Sequence, residues 1–214
     1  MFKCKSYSFP MKRYSTIQNQ DEVNHLFQVF FDYVRLLTAI PQSDQDYCRQ
    51  LFEPVYAPKN TLLETQGTVH KYHNFIVSGF IRNYHLDGKQ REVTIDINDG
   101  PRFFTSYNHF VHQTVSNENL HCITDCKLLR ISRENVSKAR DVGITSQEYS
   151  EKMLQYYVES SKQRMIDLTT LTAKERYLKL MHNRPTIIKN VPLIYIASYL
   201  GINPGSLSRI RQEI

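Results

Sequence analysis

Long apolar runs are missing from this sequence. None approaches the ~18 residues of a membrane-spanning helix, so no membrane span is expected. The opening twenty residues, MFKCKSYSFPMKRYSTIQNQ, are basic but lack the roughly 7–15-residue apolar stretch of a secretion signal. They read as a loosely held tail with Met11 as an alternative start, and the expected compartment is the cytoplasm. Cysteine is scarce. Cys4, Cys48, Cys122 and Cys126 form no CxxC pair, and their spacing suits neither a disulfide framework nor a closed zinc site. Buried or free thiols in a reducing compartment are expected, with a redox or metal sensor using Cys122 and Cys126 as the alternative. Glycine (7) and proline (8) are few, and no repeat or low-complexity segment occurs. With 41% hydrophobic and 22% charged residues, the 214-residue chain has the composition of a globular protein of one large domain or two small ones.

What is present in excess is positive charge at one end. The net charge is +6. Residues 171–214 hold Lys174, Arg176, Lys179, Arg184, Lys189, Arg209 and Arg211 against Glu175 and Glu213, which is +5 and leaves +1 for residues 1–170. A nearly neutral body with a basic end points to a polyanionic partner for that end.

Patterning divides the chain further. In residues 21–50, Leu26, Phe27, Phe30, Val34 and Leu37 recur at helical spacing before PQSD breaks the run, which predicts helix, turn, helix. From Phe52 to Ile131 short β-rich runs follow: TLLET, YHNFIVSGFIRNYHL, QREVTIDI, LHCIT and KLLRIS. Asp87-Gly88 between alternating runs marks a hairpin, and the whole region predicts an antiparallel sandwich or barrel. From Ser146 to about Leu168 neither Pro nor Gly interrupts a long helix. Leu154, Tyr157, Ser161, Met165 and Leu168 lie close to one stripe, fit either for packing on the barrel or for a dimer seam. Thr172 and Glu175 form a capping box for the next helix, which Pro185 stops.

The last segment, IASYLGINPGSLSRIRQEI, carries the sharpest signal. Leu193 to Leu200 predicts a short helix, and Gly201 the turn. Asn203 caps a second helix with Pro204 in its first turn. Leu207 and Ile210 continue an apolar stripe begun by Ile202, leaving Ser206, Ser208, Arg209 and Gln212 outward. This is a helix-turn-helix, whose second helix can enter a major groove. Arg209 can bond guanine in bidentate fashion and Gln212 can read adenine. Ser206 and Ser208 suit phosphates or base edges, and Lys189 and Arg211 suit phosphates.

A barrel, a long helix and a C-terminal helix-turn-helix resemble the Crp/Fnr family of bacterial transcription regulators. The match spans residues 21–214 and is closest over AKERYLKLMHNRP and VPLIYIASYLGINPGSLSRIR. The resemblance implies an α+β fold: an antiparallel β jelly-roll barrel of the cyclic-nucleotide-binding type, a long dimerisation helix and a small helix-turn-helix domain. The implied divisions are a tail over 1–20, a sensor barrel with flanking helices over 21–145, the dimer helix over 146–170 and the DNA-binding domain over 171–214. A non-enzymatic regulator is implied, acting as a homodimer on double-stranded DNA, with RNA polymerase as a further candidate partner. The family's recognition-helix arginine falls on Arg209, while its other two usual base-reading positions fall on Pro204 and Gly205, which puts the usual target sequence in doubt.

The implied effector site departs from the family pattern. Cyclic-nucleotide binders carry a Gly-Glu-Leu turn and an arginine ten residues after its Glu. In FFTSYNHFVHQTVSNENLHCITDC those positions hold Ser106 and Ser116, within an effector pocket expected around Phe104, Ser106, Ser116 and Asn117. A buried phosphate without its arginine loses its main charge partner, so cyclic AMP is not expected to bind in the standard manner and the effector is unknown. No cofactor is expected. An iron–sulfur cluster needs more closely spaced cysteines than this chain has near its start. His70, His73, His85, His109, His112 and His121 are the candidate axial ligands for a haem sensor, each read first as a surface or hydrogen-bonded histidine. A metal-dependent cupin-like barrel is the alternative class, but it lacks its His-x-His pair, and no metal site is expected.

Overall fold

The computed structural model describes residues 13–142 and 144–214, with side chains for all of these except 142–150. Its β-region is two packed antiparallel sheets. One has the order β1 (Ser15–Thr16), β2 (Phe52–Ala57), β9 (Cys126–Ser132), β4 (Tyr72–Ser78), β7 (Arg102–Phe104). The other has the order β3 (Leu62–Glu64), β8 (Asn119–Cys122), β5 (Phe80–Leu86), β6 (Glu92–Asp99). The fold is α+β, as expected.

Strand alternation explains the layers. Val55, Ile76, Phe104 and Leu128 from the first sheet meet Leu63, Ile81, Leu120 and Cys122 from the second to form the barrel core. The neighbours of these residues, Phe75, Phe103 and Leu129, point the other way. They are covered by α1 (Gln20–Arg35) through Phe27, Phe30 and Phe31. Register puts Phe103 and Leu129 on either side of Phe75, one row on the outer face. Asn19 caps α1 by accepting the Glu22 N–H at 2.9 Å. The stretch expected as a loose tail is therefore tied down from Ser15 onward: Ser15 pairs with Tyr56, Ile17 donates its N–H to Pro54 O and its side chain is buried. Residues 1–12, including Cys4 and Met11, lie outside the described residues.

Some boundaries differ from expectation. YHNFIVSGFIRNYHL is two strands, β4 and β5, because Gly79 between them sits at φ +101° against the Asp125 and Cys126 backbone, where no Cβ fits. Two short helices were not foreseen: α3 (Tyr107–His112), and α7 (Pro185–Asn190), where Pro185 starts a helix as well as ending α6 (Ala173–Asn183). The remaining helices are α2 (Gln42–Leu51), α4 (Arg133–Val142), α5 (Ile144–Thr170), α8 (Leu193–Tyr199) and α9 (Pro204–Gln212). α8 and the α6–α7 junction dock on the outer face of the second sheet, and α9 packs on α8. Ile97 and Ile123 share one apolar cluster with Tyr177, Leu180, Ile187, Ile196, Leu200, Leu207 and Ile210. No helix among the described residues is long and apolar enough to cross a membrane.

Candidate nucleic-acid interface

The C-terminal unit is built on local chemistry. Thr172 Oγ1 accepts the Glu175 N–H at 3.3 Å while Glu175 accepts the Thr172 N–H at 2.7 Å, a complete capping box at the start of α6. α8 ends in a Schellman motif: Gly201 N–H donates to Ser198 O (3.1 Å) and Ile202 N–H to Ala197 O (3.0 Å), with Gly201 at φ +69°. A Cβ at Gly201 would meet nothing closer than Leu168 at 3.5 Å, so backbone conformation and not space calls for glycine here. Asn203 Oδ1 accepts the Ser206 N–H at 2.8 Å, and Pro204 opens α9.

On α9, Leu207 and Ile210 are buried against Ile196, Ala197 and Leu200. The opposite face carries Gly205, Ser208, Arg209 and Gln212 at i, i+3, i+4 and i+7, all exposed. Arg209 has no ion-pair partner among the described residues. Ser208 Oγ donates back to Pro204 O at 3.0 Å and keeps its lone pairs outward. Ser206 is half-buried at the edge of this face, while Arg211 and Lys189 are exposed. The structure therefore brings Ser208, Arg209 and Gln212 onto one uncovered surface, with Gly205 allowing close backbone approach.

The long helix divides differently from the expected stripe. Tyr157 turns toward its own barrel, where its hydroxyl donates to Phe103 O at 2.6 Å, and burial pushes its pKa up. Leu154, Val158, Ser161, Met165 and Leu168 share an uncovered face at 4-3-4-3 spacing, with Val158 57% and Met165 62% exposed. Val158 was missed because Tyr157 is also apolar and only one helical step away.

No protein-family model and no curated protein sequence matches the chain. Solved structures do. FixK2 from Bradyrhizobium japonicum superposes with a TM-score of 0.66 at 16% identity, over 76% of this chain and 84% of that one. The c-di-GMP-responsive global regulator CLP from Xanthomonas campestris gives 0.66 at 13% identity, over 81% and 91%. A protein from Eubacterium rectale assigned to the Crp/Fnr family gives 0.63 at 13%, over 88% and 87%. The chain has the Crp/Fnr fold.

Within the Crp/Fnr fold, the stretch compared with the cyclic-nucleotide cassette is closed on itself. Ser106 and Ser116 are both buried, and Ser116 Oγ donates to Ser106 Oγ at 3.4 Å. Phe104 is buried in the barrel core, whereas Asn117 is exposed and its Oδ1 lies 3.2 Å from His109 Nε2. Around the serines the barrel interior holds its own polar network: Asn83 Nδ2 donates to Glu118 (3.0 Å), Asn98 Nδ2 to Asn83 (3.3 Å), and His70 Nε2 lies 3.1 Å from Glu118 O. Across the core, Arg130 is fully buried, donating to Asn74 (2.7 Å) and Glu64 (3.1 Å) beneath the Tyr72 ring. Burial pushes the Glu64 carboxyl up, and Arg130 opposes it.

The other candidate chemistries are placed as follows. Cys122 and Cys126 are both buried, Cys126 Sγ donates to Thr124 O at 3.3 Å, and the neighbouring Cys126 together with burial pushes the Cys122 thiol well up. Burial, helped by Asp44, pushes the Cys48 thiol up to about 12. His70 and His73 face opposite sides of the first sheet's end, one toward Glu118 and one stacked on Phe103. Among the described residues no group of three or more His, Cys, Asp or Glu could hold a metal ion.

Proposed function

We propose that the chain is a DNA-binding transcription regulator that acts as a homodimer through α5 and reads DNA with α9. The observation that carries this reading is the division of α9: its apolar side is locked onto α8 and its Ser208, Arg209 and Gln212 side is left open. A helix that merely closed a core would have no reason to hold a guanidinium free on a basic unit of +5. Dimerisation is supported by the 4-3 row of exposed Leu154, Val158, Met165 and Leu168. Two copies would present two recognition helices to half-sites ~34 Å apart. The buried Ser106–Ser116 pair offers no charge to a cyclic phosphate, so cyclic AMP is not the effector in the standard manner.

Selection of bound DNA fragments at stated salt tests the reading. Wild type should select a two-fold-symmetric site. Arg209→Ala should lose about 1–3 kcal/mol of discrimination at one position of each half-site while keeping most of its salt-dependent non-specific affinity. Selectivity unchanged in Arg209→Ala would remove Arg209 as a base reader, and salt-independent or absent DNA affinity would remove the function.

A further inference from the structure

A cavity of about 390 Å³ lies on the outer side of the first sheet, away from the barrel interior. It is within the size range of small-molecule sites. α1 and α2 form one wall, α3 and α4 another, and the strands β2, β4, β7 and β9 the floor. Phe30, Phe52, Phe103 and Phe110 make most of it apolar, and Met153 brings α5 into the wall. Neither Ser106, Ser116 nor any α9 residue lines it.

Two features set it apart from a packing defect. The first is His73. Its ring stacks on Phe103 at 4.7 Å, and burial lowers its pKa to about 4, so it is neutral at pH 7. Neither ring nitrogen has a hydrogen-bond partner among the described residues. His73 is half-buried and lines the cavity, so its imidazole offers a polar edge within an otherwise aromatic floor. The second feature is charge. Arg133 and Arg140 lie on the cavity face of α4, two turns apart, and neither pairs with a carboxylate among the described residues; Arg133 reaches only Ser137 Oγ, at 3.3 Å. Asp44 is the one acid in the lining among the described residues.

An apolar chamber bordered by two uncommitted guanidinium groups fits an amphiphile with an anionic head, and guanidinium forks match carboxylates. We propose that this cavity binds an aliphatic carboxylic acid, with the chain among the phenylalanines and the carboxylate at Arg133 and Arg140. The site stands on its own observations and does not require that the chain bind DNA.

Calorimetry on the full chain with dodecanoate below its micelle concentration tests the site. Dodecanol serves as the uncharged probe and dodecyltrimethylammonium as the cationic one. Dodecanoate should bind at one site per chain, at least tenfold more tightly than either of the others. Arg133→Gln with Arg140→Gln should weaken dodecanoate at least tenfold and leave dodecanol unchanged. Val136→Trp, which puts a large ring into the cavity from α4, should abolish binding of both. Hydrogen exchange should slow in α4 when dodecanoate is bound. Four results would overturn the proposal: no dodecanoate binding, equal affinity for the three probes, dodecanoate affinity unchanged in the arginine double variant, or binding that survives Val136→Trp in a variant with a normal melting transition. The arginine variants change exposed or half-exposed side chains, so they decide the matter even if the tryptophan variant does not fold.

Discussion

Arg130 shows how much one side chain can hold in this barrel. It is fully buried and donates to both Asn74 and Glu64, and it is the ion-pair partner of Glu64 among the described residues. Arg130→Met should cost about 3–5 kcal/mol, because it strands a buried carboxylate. Without the arginine the Glu64 carboxyl rises further, so the deficit should be smallest in acid and grow toward neutral pH, as urea denaturation at a series of pH values will show. The buried histidines act in the opposite sense. Burial holds His73 to about 4, and burial with the nearby Arg82 holds His121 to about 4. An unfolded histidine titrates near 6.5. The unfolded chain therefore takes up protons first, and stability should be steady above about pH 6.5 and fall as the pH drops from there toward 4. His73→Phe, which keeps the stacking on Phe103, should flatten that slope between the same limits. A slope unchanged in this variant would mean that His73 does not stay neutral in the fold.

At the scale of elements, α5 makes the clearest distinction between inward and outward faces. Tyr157 bonds Phe103 O and Met153 packs with α1, while Val158, the next residue, and Met165, two turns on, lie open. Val158→Glu with Met165→Glu should shift the proposed dimer to monomers in sedimentation without lowering monomer stability by more than about 0.5 kcal/mol, since these are surface positions within the subunit. Tyr157→Phe should do the reverse: assembly unchanged, stability lower by about 1 kcal/mol for the lost hydrogen bond. Much of the element map was legible from the chain. The α1 stripe, the Asp87 hairpin, the Thr172 capping box and the Gly201–Pro204 turn all depend on residues within four positions of one another. What was not legible depended on distant partners. β1 is a strand only because Val55 and Tyr56 are there to pair with it, and α7 exists because Ile187 has a core to enter. Val158 carried a sequence signal, the 4-3 spacing with Leu154, Ser161, Met165 and Leu168, but Tyr157 satisfied the apolar pattern equally well.

Across the whole molecule, the C-terminal unit is docked on its own barrel without using α9. Arg184 bonds Ile97 O and Asp99, and Thr186 Oγ1 bonds Asp99 at 2.9 Å. Thr94 N–H donates to Ser198 Oγ at 2.9 Å, and the Arg82 guanidinium lies 3.7 Å from the Tyr195 ring centroid while pairing with Glu92. Arg164 donates to Tyr199 O at 2.8 Å from α5. Arg184→Ala with Ser198→Ala removes the central polar contacts of this docking. Hydrogen exchange should quicken in β6 and α8, while α9 remains protected by Leu207 and Ile210. Loss of protection in α9 as well would show that the terminal unit is held together only by the barrel.

The sequence by itself determined the turns, the caps and the two-sided character of α9, because each follows from side chains and backbone groups a few bonds apart. It also determined that Ser106 and Ser116 carry hydroxyls and no charge. The tertiary structure decided which face of α5 is free, that Ser106 and Ser116 bond to each other, and that α1 roofs an aromatic cavity bordered by Arg133 and Arg140. Those outcomes depend on which surfaces meet across long stretches of chain, and a residue's local pattern says what it can bury against without saying what will be there.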